Sequence, residues 1–465
     1  MSDAASEAAP PVGRRINREN AAFGLLCGCG VIILGLAAAC ARFYGPWGSE
    51  AILVGLFLVW GALTIVSCRV AVAAPARRAL VAIIVVAVAL RLIGLLYEPM
   101  LSTDIYRYIW DGRVQAALIN PYQYVPADEA LRALRDASIY PNINRADYAP
   151  TAYPPVAQMF FFAVTRLSET TVAMRLAFIA CEIAIVWLLW DLLRSTGRPV
   201  VLIAAYAWHP LAAWEISNSG HVEALMVALF MAGVWLLVKS RRALAGVAMA
   251  LAVLVKPYAV LALPAFWRPW DWRVPAAVAA TVVLCYLPYI GIGTRALGFL
   301  PQYATEEALS SGDAFWPLLV VRRLIGDVPG LFPAYVAIVL AVLGALALRI
   351  SFRGADWRGV RREGAHPAPD QSLRDITALI IAGLFFLSPN YPWYYLVLVP
   401  LIPLGGGAPA WTLTVLAPLL YMWWWPSEDP RFFLWKSVIN VALLVALLVT
   451  VWRARSPDER SDIRG

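Results

Sequence analysis

Two aspartates in one polar stretch have the residue type and spacing to do acid–base chemistry. Asp104 and Asp111 lie seven residues apart, directly after an apolar run. On a helix this spacing is two turns, so both carboxylates would lie on one face. A carboxylate where an apolar helix emerges into water can act as a general base. The alternatives are helix capping for Asp104 and an ion pair with Arg107 or Arg113 for Asp111.

Charged side chains also lie inside apolar runs, where each costs about 2.5–3.5 kcal/mol at a bilayer centre and therefore usually faces a cavity or a partner. His221 and Glu223 lie near the ends of two such runs. Lys256 precedes a proline, and the backbone groups freed at a proline break often line a cavity. The structural alternatives are an ion pair between Glu223 and Lys256, and a hydrogen-bonded His221 in the bundle.

The composition defines the class of protein that must position these groups. The 465 residues are 61% hydrophobic and 15% charged, whereas soluble domains are about 45–50% apolar and about 25% charged. This excludes an ordinary cytosolic enzyme, a disordered chain and a disulfide-stapled secreted domain. The net charge of +8 comes from basic residues at the ends of apolar runs, a pattern typical of membrane topology signals rather than of nucleic-acid binding.

We therefore predict an all-α fold, a polytopic transmembrane bundle of about 12–14 helices with amphipathic helices in the first outer loop. Because basic residues mark cytoplasmic loops, we expect both termini to be cytoplasmic. Tyr153–Leu167 and Ala314–Ile325 are expected to be re-entrant or to lie on the membrane surface. The predicted spans are Ala21–Ala41, Ala51–Val70, Leu80–Tyr97, Thr171–Leu193, Val200–Ser217, Val222–Val238, Pro275–Ile292, Leu331–Arg349, Ile376–Ser388, Tyr394–Leu404, Pro409–Trp425 and Phe433–Trp452, with Ala243–Trp267 as a broken span.

The domain organisation that follows is simple. We predict one transmembrane domain between two short cytoplasmic tails, with one long outer loop and one long cytoplasmic loop. The ranges are 1–20 for the N-terminal tail, 21–452 for the domain, 98–167 for the outer loop, 351–374 for the cytoplasmic loop and 453–465 for the C-terminal tail.

The aromatic residues and the possible metal ligands say less about the function. The run Trp423–Trp425 is typical of an interfacial aromatic belt, and Tyr106 could stack on a sugar ring or anchor the loop in the membrane. No His, Cys and Asp residues have the spacing of a metal site. We therefore expect no cofactor and no metal requirement.

Several motifs together resemble a known superfamily, the GT-C membrane glycosyltransferases. Over about Tyr97 to Pro400 the chain is most similar to bacterial polyprenol-phosphomannose-dependent mannosyltransferases. The similarity rests on the order and spacing of the motifs, which are Asp104, Tyr106-Arg107-Tyr108, Asp111-Gly112-Arg113, Asn120-Pro121-Tyr122, Ala152–Ala157, Trp208–Leu211, Asn218–Ala224, Lys256-Pro257-Tyr258 and Ser388–Tyr395.

The resemblance implies an activity and roles for residues. It implies an inner-membrane enzyme that moves a sugar, most simply mannose, from a polyprenyl phosphate donor to a lipid or glycan acceptor on the outer face, with inversion and with Asp104 as the base. A leaving phosphate needs positive charge or hydrogen-bond donors. We expect these, and contacts to the donor sugar, from Lys256, His221, Arg107, Arg113 and Tyr258. The remaining candidates for the substrate pocket are Asp111, Tyr106, Tyr153, Asn218, Glu223, Asn390, Tyr391 and Tyr394.

The alternative function is a polytopic transporter or lipid flippase. It is favoured by the number of helices, the proline break after Lys256 and the buried charges. Transporters often contain internal repeats around a midplane site, and none is evident in this sequence. The long outer loop favours catalysis.

Overall fold

The computed structural model describes residues 12–43, 50–269, 271–353, 368–422 and 430–454. Within these ranges the chain is helical and contains no strand, which confirms the predicted all-α class. Several predicted features lie wholly or largely outside the described residues. These are the aromatic run Trp423–Trp425, most of the cytoplasmic loop 351–374, and most of the tails 1–20 and 453–465.

Eighteen α-helices are described, and 3-10 segments connect several of them. The long helices carry the apolar runs and the short ones lie where proline or glycine interrupts those runs. In chain order the helices α1 to α18 are Val12–Phe43, Glu50–Ala73, Ala76–Leu95, Asp104–Ala116, Pro155–Thr165, Thr171–Ser195, Ala204–Ala207, Pro210–Ser217, Glu223–Val238, Arg242–Val253, Leu263–Phe266, Arg273–Tyr286, Leu300–Glu306, Trp316–Ile325, Leu331–Ser351, Pro369–Leu387, Gly407–Leu416 and Pro430–Ala454.

Eight segments in the described part of the chain are long and apolar enough to cross a membrane, and a ninth is a pair of helices bent by 56°. The bent pair is Val200–Ala207 with Pro210–Ser217. Four shorter apolar helices complete the bundle: Pro155–Thr165, Glu223–Val238, Arg242–Val253 and Pro257–Phe266. Two expected spans, Tyr394–Leu404 and Pro409–Trp425, belong to one continuous segment, Pro392–Met422. The protein is therefore a multi-pass membrane protein.

Ion pairs at the helix ends show how the chain runs back and forth. Lys256, just after α10, pairs with Glu223 at the start of α9 (Nζ to Oε1, 3.0 Å). At the far end of α9, Lys239 pairs with Asp191 of α6 at 2.8 Å. Helices α9 and α10 are thus antiparallel, and basic residues predicted to be cytoplasmic lie at the end away from Lys256. Further ion pairs of such residues are Arg198–Asp370, Arg242–Asp271 and Arg353–Asp375.

The loop 98–167 contains α4 near its start and α5 at its end, and these two helices pack together. Gly112 lies in the middle of α4, where a Cβ atom would meet Thr165 Oγ1 at 2.4 Å and Phe161 O at 2.6 Å. The sequence suggests that Gly112 weakens this helix. In the structure α4 continues to Ala116, and the glycine instead lets α5 approach closely. The absence of a side chain therefore fixes the position of the helix that begins at Asp104.

Candidate active site

A cavity of about 870 Å³ opens between the first outer loop, the segment 299–309 and the residues after α16. This volume is within the usual range of small-molecule sites. Eight of the residues expected at the site line it. They are Asp104, Arg107, Tyr153, Lys256, Tyr258, Asn390, Tyr391 and Tyr394.

Asp104 is the first residue of α4 and is partly buried in the cavity wall. Its carboxylate accepts hydrogen bonds from Asn144 Nδ2 at 2.7 Å and from the Tyr153 hydroxyl at 3.1 Å. Burial acts to raise the pKa of Asp104, but His221, Lys256 and the Asn144 amide act in the opposite direction and prevail, so the pKa lies below its ordinary value. The carboxylate is therefore ionised near neutral pH and available to accept a proton.

Lys256 provides the cation beside this carboxylate. Its ammonium lies 5.3 Å from the centre of the Tyr153 ring and 5.5 Å from that of Tyr394, and it pairs with the fully buried Glu223 behind it. Electrostatic attraction to the ring faces and to the carboxylate holds the ammonium in place. The predicted ion pair and the predicted cavity position of Lys256 are thus both present.

A closed ring of contacts surrounds the cavity. The Lys256 ammonium contacts the Tyr394 ring, and the Tyr394 hydroxyl lies 3.0 Å from the Tyr303 hydroxyl. The guanidinium of Arg145 lies over the Tyr303 ring at 5.9 Å. Asn144, the residue before Arg145, donates a hydrogen bond to Asp104. Arg145 has a φ of +56°, an uncommon conformation that is held in place at functional sites by the surrounding contacts. The Asp104 carboxylate and the Lys256 ammonium are therefore parts of one constellation.

Opposite Asp104, Glu307 collects a second set of polar groups. Its carboxylate accepts hydrogen bonds from Asn390 Nδ2 and from the Tyr391 hydroxyl, both at 3.1 Å. Arg145 Nη2 lies 3.6 Å from Glu307 Oε1, and Arg145 also pairs with Glu306. Two of the predicted pocket residues, Asn390 and Tyr391, are therefore organised around a carboxylate that the sequence did not single out.

His221 lies behind the cavity wall and does not line it. Its ring stacks on Trp393, with 4.1 Å between the ring centres, and Nε2 lies 3.4 Å from Glu215 Oε2. Nδ1 lies 3.9 Å from Glu223 Oε2. Tyr421, which does line the cavity, donates a hydrogen bond to Glu215. His221, Glu215 and Glu223 therefore form a buried polar cluster that supports the cavity wall from outside.

Asp111 and Arg107 form the ion pair that was the alternative for Asp111. Arg107 Nε lies 2.7 Å from Asp111 Oδ1, and Arg107 also donates to Ala149 O. The other carboxylate oxygen of Asp111 accepts from Gln158 at 2.9 Å. Asp111 is 1% exposed and does not line the cavity, so the structure brings it to the interior of the outer loop rather than to Asp104.

Three further predicted residues lie away from the cavity. Arg113 pairs with Asp136 at 3.0 Å and with Glu169 at 2.8 Å, which ties the outer loop together. Asn218 is fully buried and bonds to the backbone of the segment that leads to α4. Tyr106 is half-buried on α4, outside the cavity lining. These residues shape the loop that carries Asp104.

Sequence reasoning missed one set of cavity residues: Asn144, Arg145, Tyr303, Glu306 and Glu307. They lie in loops and in the short helix α13, where the sequence has neither an apolar run nor a motif to mark them. A weak signal was available, because the acidic pair 306–307 follows a span and faces the same side as Asp104. In the part of the chain that the structure describes, no three His, Cys, Asp or Glu side chains are grouped to hold a metal ion.

The membrane-spanning helical bundle and its polar cavity, with a carboxylate beside a cation, define the class of multi-pass membrane glycosyltransferases of the GT-C type. The family described as Alpha-(1->6)-mannopyranosyltransferase, N-terminal domain, matches residues 29–270. Because this range exceeds half of the chain, the protein belongs to that family, and it is a mannosyltransferase-class enzyme.

A curated relative supports the assignment. Alpha-(1->6)-mannopyranosyltransferase A of Mycobacterium tuberculosis (strain ATCC 25618 / H37Rv) is 24% identical over 406 residues, which cover 79% of the chain and 73% of the relative. No solved structure matches the chain at a significant level. The resemblance predicted from the motifs is confirmed, and the enzyme class is established over the alternative of a transporter or flippase.

Proposed function

We propose that the protein transfers mannose from a polyprenyl phosphate donor to a hydroxyl group of a lipid or glycan acceptor, with Asp104 as the general base. One observation carries this proposal. The Asp104 carboxylate lies in the cavity wall, oriented by Asn144 and Tyr153, and the Lys256 ammonium lies over the ring of the same Tyr153, 5.3 Å from its centre. In a displacement reaction, the carboxylate can take the proton of the attacking hydroxyl and the cation can stabilise the charge on the leaving phosphate oxygen.

The bonding changes are those of a single displacement. Asp104 takes the proton of the acceptor hydroxyl while its oxygen forms a bond to C1 of the mannose. The bond between C1 and the phosphate oxygen breaks, and its electron pair leaves with the polyprenyl phosphate. C1 is inverted, so a β-linked donor gives an α-linked product. The name of the curated relative specifies an alpha-(1->6) linkage, and we propose the same linkage here.

Lys256 is placed to stabilise the leaving phosphate. A fixed positive charge in a cavity shielded from water is worth more than in bulk water, because the local dielectric is low. The Tyr258 hydroxyl is buried in the same wall and has no hydrogen-bond partner among the described residues. This hydroxyl can therefore donate a hydrogen bond to a phosphate or sugar oxygen of the donor substrate. His221 contributes from behind, by packing on Trp393.

The proposed location of the active site is the outer face of the inner (plasma) membrane, with both termini cytoplasmic. Two features support it. Basic residues concentrate at the end of the bundle opposite the cavity, as cytoplasmic loops do. The cavity is also lined by apolar residues such as Leu309, Leu384 and Leu387, which suit the isoprenoid part of a lipid-linked donor.

The test is radiolabel transfer from polyprenyl phosphomannose by the purified full chain in liposomes, with a membrane glycolipid extract as the acceptor. We expect Asp104→Asn to lower the rate by about 10²–10⁴-fold, the usual contribution of a general base. Asp147→Asn is the matched control, because Asp147 is an exposed aspartate of the same outer loop. Wild-type activity in Asp104→Asn, with normal insertion, would overturn the assignment of the base.

A further inference from the structure

The cavity has two polar sides, and only one of them contains the proposed base and the proposed phosphate-binding cation. The second side consists of Glu307, Asn390 and Tyr391, with Arg145 between the two. The transfer reaction needs two substrates in one cavity, a donor with an anionic phosphate and an acceptor that presents hydroxyl groups. The question is which substrate the second side suits.

Charge distinguishes the two sides. On the first side Glu223 lies behind Lys256 and outside the cavity lining, so the ammonium itself is presented to a ligand. On the second side the Arg145 guanidinium is flanked by Glu306 and Glu307, and both carboxylates line the cavity. The anionic phosphate of the donor would be repelled there. Neutral hydroxyl groups would instead find acceptors.

The chemistry of the second side is that of sugar recognition. Each Glu307 oxygen accepts one hydrogen bond from the protein and keeps further acceptor capacity for ligand hydroxyls. The rings of Tyr391 and Trp393 are parallel, with 4.5 Å between their centres, and both residues line the cavity. A few fixed polar groups in an otherwise apolar and aromatic lining orient a small polar ligand.

Lys436 of α18 fixes this arrangement from outside the cavity. It is 2% exposed, and its Nζ donates to Ser388 O at 2.6 Å, to Ala314 O at 2.6 Å and to Asn390 Oδ1 at 2.7 Å. An ammonium group can only donate. Asn390 must therefore turn its oxygen to Lys436 and its NH₂ group to Glu307, and a flipped amide would set an oxygen against the carboxylate.

We propose that Glu307, Asn390 and Tyr391 form the subsite that binds the acceptor sugar, and that Lys436 is a positioning residue that sets the direction of the Asn390 amide. The subsite adjoins Asp104 through Asn144 and Arg145, which brings an acceptor hydroxyl within reach of the base. This inference rests on the proposed transfer reaction, because it assigns one of the two substrates of that reaction.

The experiment measures equilibrium binding, which needs no turnover. The full chain in detergent is titrated with two radiolabelled probes, octyl α-D-mannopyranoside for the acceptor and undecaprenyl phosphate for the donor side. The variants are Glu307→Gln and Lys436→Met, and the control is Glu129→Gln, whose side chain is 74% exposed on the same outer loop. We expect both variants to weaken mannoside binding by about tenfold, as for one hydrogen bond to a charged group.

The comparison between the probes decides the outcome. Unchanged binding of undecaprenyl phosphate, together with weaker mannoside binding in both variants, supports the subsite. The proposal is overturned if the wild type does not bind the mannoside saturably, if Glu307→Gln binds it normally, or if both probes weaken equally. Asp104→Asn separates this inference from the proposed function, because it should bind the mannoside but fail to transfer label.

Discussion

Lys256 and Glu223 form an ion pair in which only one partner faces the cavity. Lys256 Nζ lies 3.0 Å from Glu223 Oε1, and Glu223 is completely buried. The pair joins the break after α10 to the start of α9 and so holds two antiparallel helices together at the active end of the bundle. The carboxylate has a structural task, whereas for the ammonium we propose both a structural and a chemical one.

Stability and activity should therefore respond differently when the pair is removed in steps. Breaking a buried pair by removing one charge costs about 3–5 kcal/mol, because the other charge is left uncompensated. We expect Lys256→Met to lower thermal stability by this order, because it leaves the completely buried Glu223 carboxylate without its partner. The double variant Glu223→Gln with Lys256→Met should regain most of it, since no buried charge remains, yet it should stay inactive in radiolabel transfer.

The same double variant provides the test of the chemical role. Stability is measured by thermal unfolding in detergent, and transfer is measured in liposomes. If Lys256 acts on the leaving phosphate, the double variant should regain stability without regaining transfer. Recovery of both properties in the double variant would show that Lys256 serves only to neutralise Glu223.

The low pKa of Asp104 predicts the pH dependence of the reaction. Burial favours the protonated form, but His221, Lys256 and Asn144 favour the carboxylate and lower the pKa. Asp104 should therefore stay ionised as pH falls from 8 to 5. The pH profile of kcat/KM reports groups of the free enzyme. In this profile, protonation of Asp104 should lower kcat/KM only at pH values below the ordinary pKa range of an aspartate. Lys256→Met removes a positive charge, so the acid limb of its residual activity should move to higher pH.

A pH profile of kcat/KM for the wild type and Lys256→Met checks this sign, with Lys239→Met as the control. Lys239 pairs with Asp191 at the end of α9 away from the cavity, and its removal should leave the acid limb unchanged. An acid limb that moves to lower pH in Lys256→Met would contradict the electrostatic account.

The sequence allowed the class to be predicted, and it singled out Asp104 as the candidate base, because both leave local signals. Apolar runs mark the spans, and Asp104 is conspicuous as an acid directly after one of them. Arg107 and Asp111 show where such reasoning stops. Asp111 lies two turns from Asp104 and one turn from Arg107, so its spacing fits both a catalytic face and an i,i+4 ion pair. The structure contains the ion pair, and Gln158 donates to the other carboxylate oxygen of Asp111.

The second side of the cavity depends on long-range contacts, which no local pattern encodes. Lys436 reaches Asn390 across 46 residues and Ala314 across 122. Lys436 could be recognised from the sequence as a charge inside a span, but its partners could not. For the same reason Glu307 gave no motif, although it binds two side chains that the sequence did single out.

Arg113 is expected to affect the stability of the outer loop and not the binding of the donor. Its guanidinium pairs with Asp136 and Glu169 and donates to Leu134 O, and none of these residues lines the cavity. Arg113→Met should therefore lower thermal stability by about 1.5–3 kcal/mol, the range for hydrogen bonds to charged groups. The KM for polyprenyl phosphomannose should not change.

Kinetics on Arg113→Met and on Arg132→Met, an exposed arginine of the same loop, provide the comparison. A raised donor KM in Arg113→Met at unchanged stability would restore Arg113 as a donor-binding residue.

Gly220, the residue before His221, packs against Ile105, the residue after Asp104. It has a φ of +71°, and a Cβ atom there would meet Ile105 Cδ1 at 2.5 Å. Gly220→Ala would therefore combine two costs, the left-handed backbone conformation, about 1–2 kcal/mol for a residue with a Cβ, and a clash with the residue next to Asp104. We expect lower stability and slower transfer, because Ile105 is completely buried and displacing its side chain disturbs the packing at the start of α4.

Gly197 separates these two costs. Its φ is +68°, and nothing lies within 4 Å of a Cβ atom there. Gly197→Ala should have the same backbone strain without the clash, so it should lose similar conformational energy and keep the wild-type kcat. Thermal unfolding and single-turnover transfer on both variants measure the difference. Equal kinetic losses in the two variants would mean that strain alone slows the reaction and that contact between Gly220 and Ile105 does not position the base.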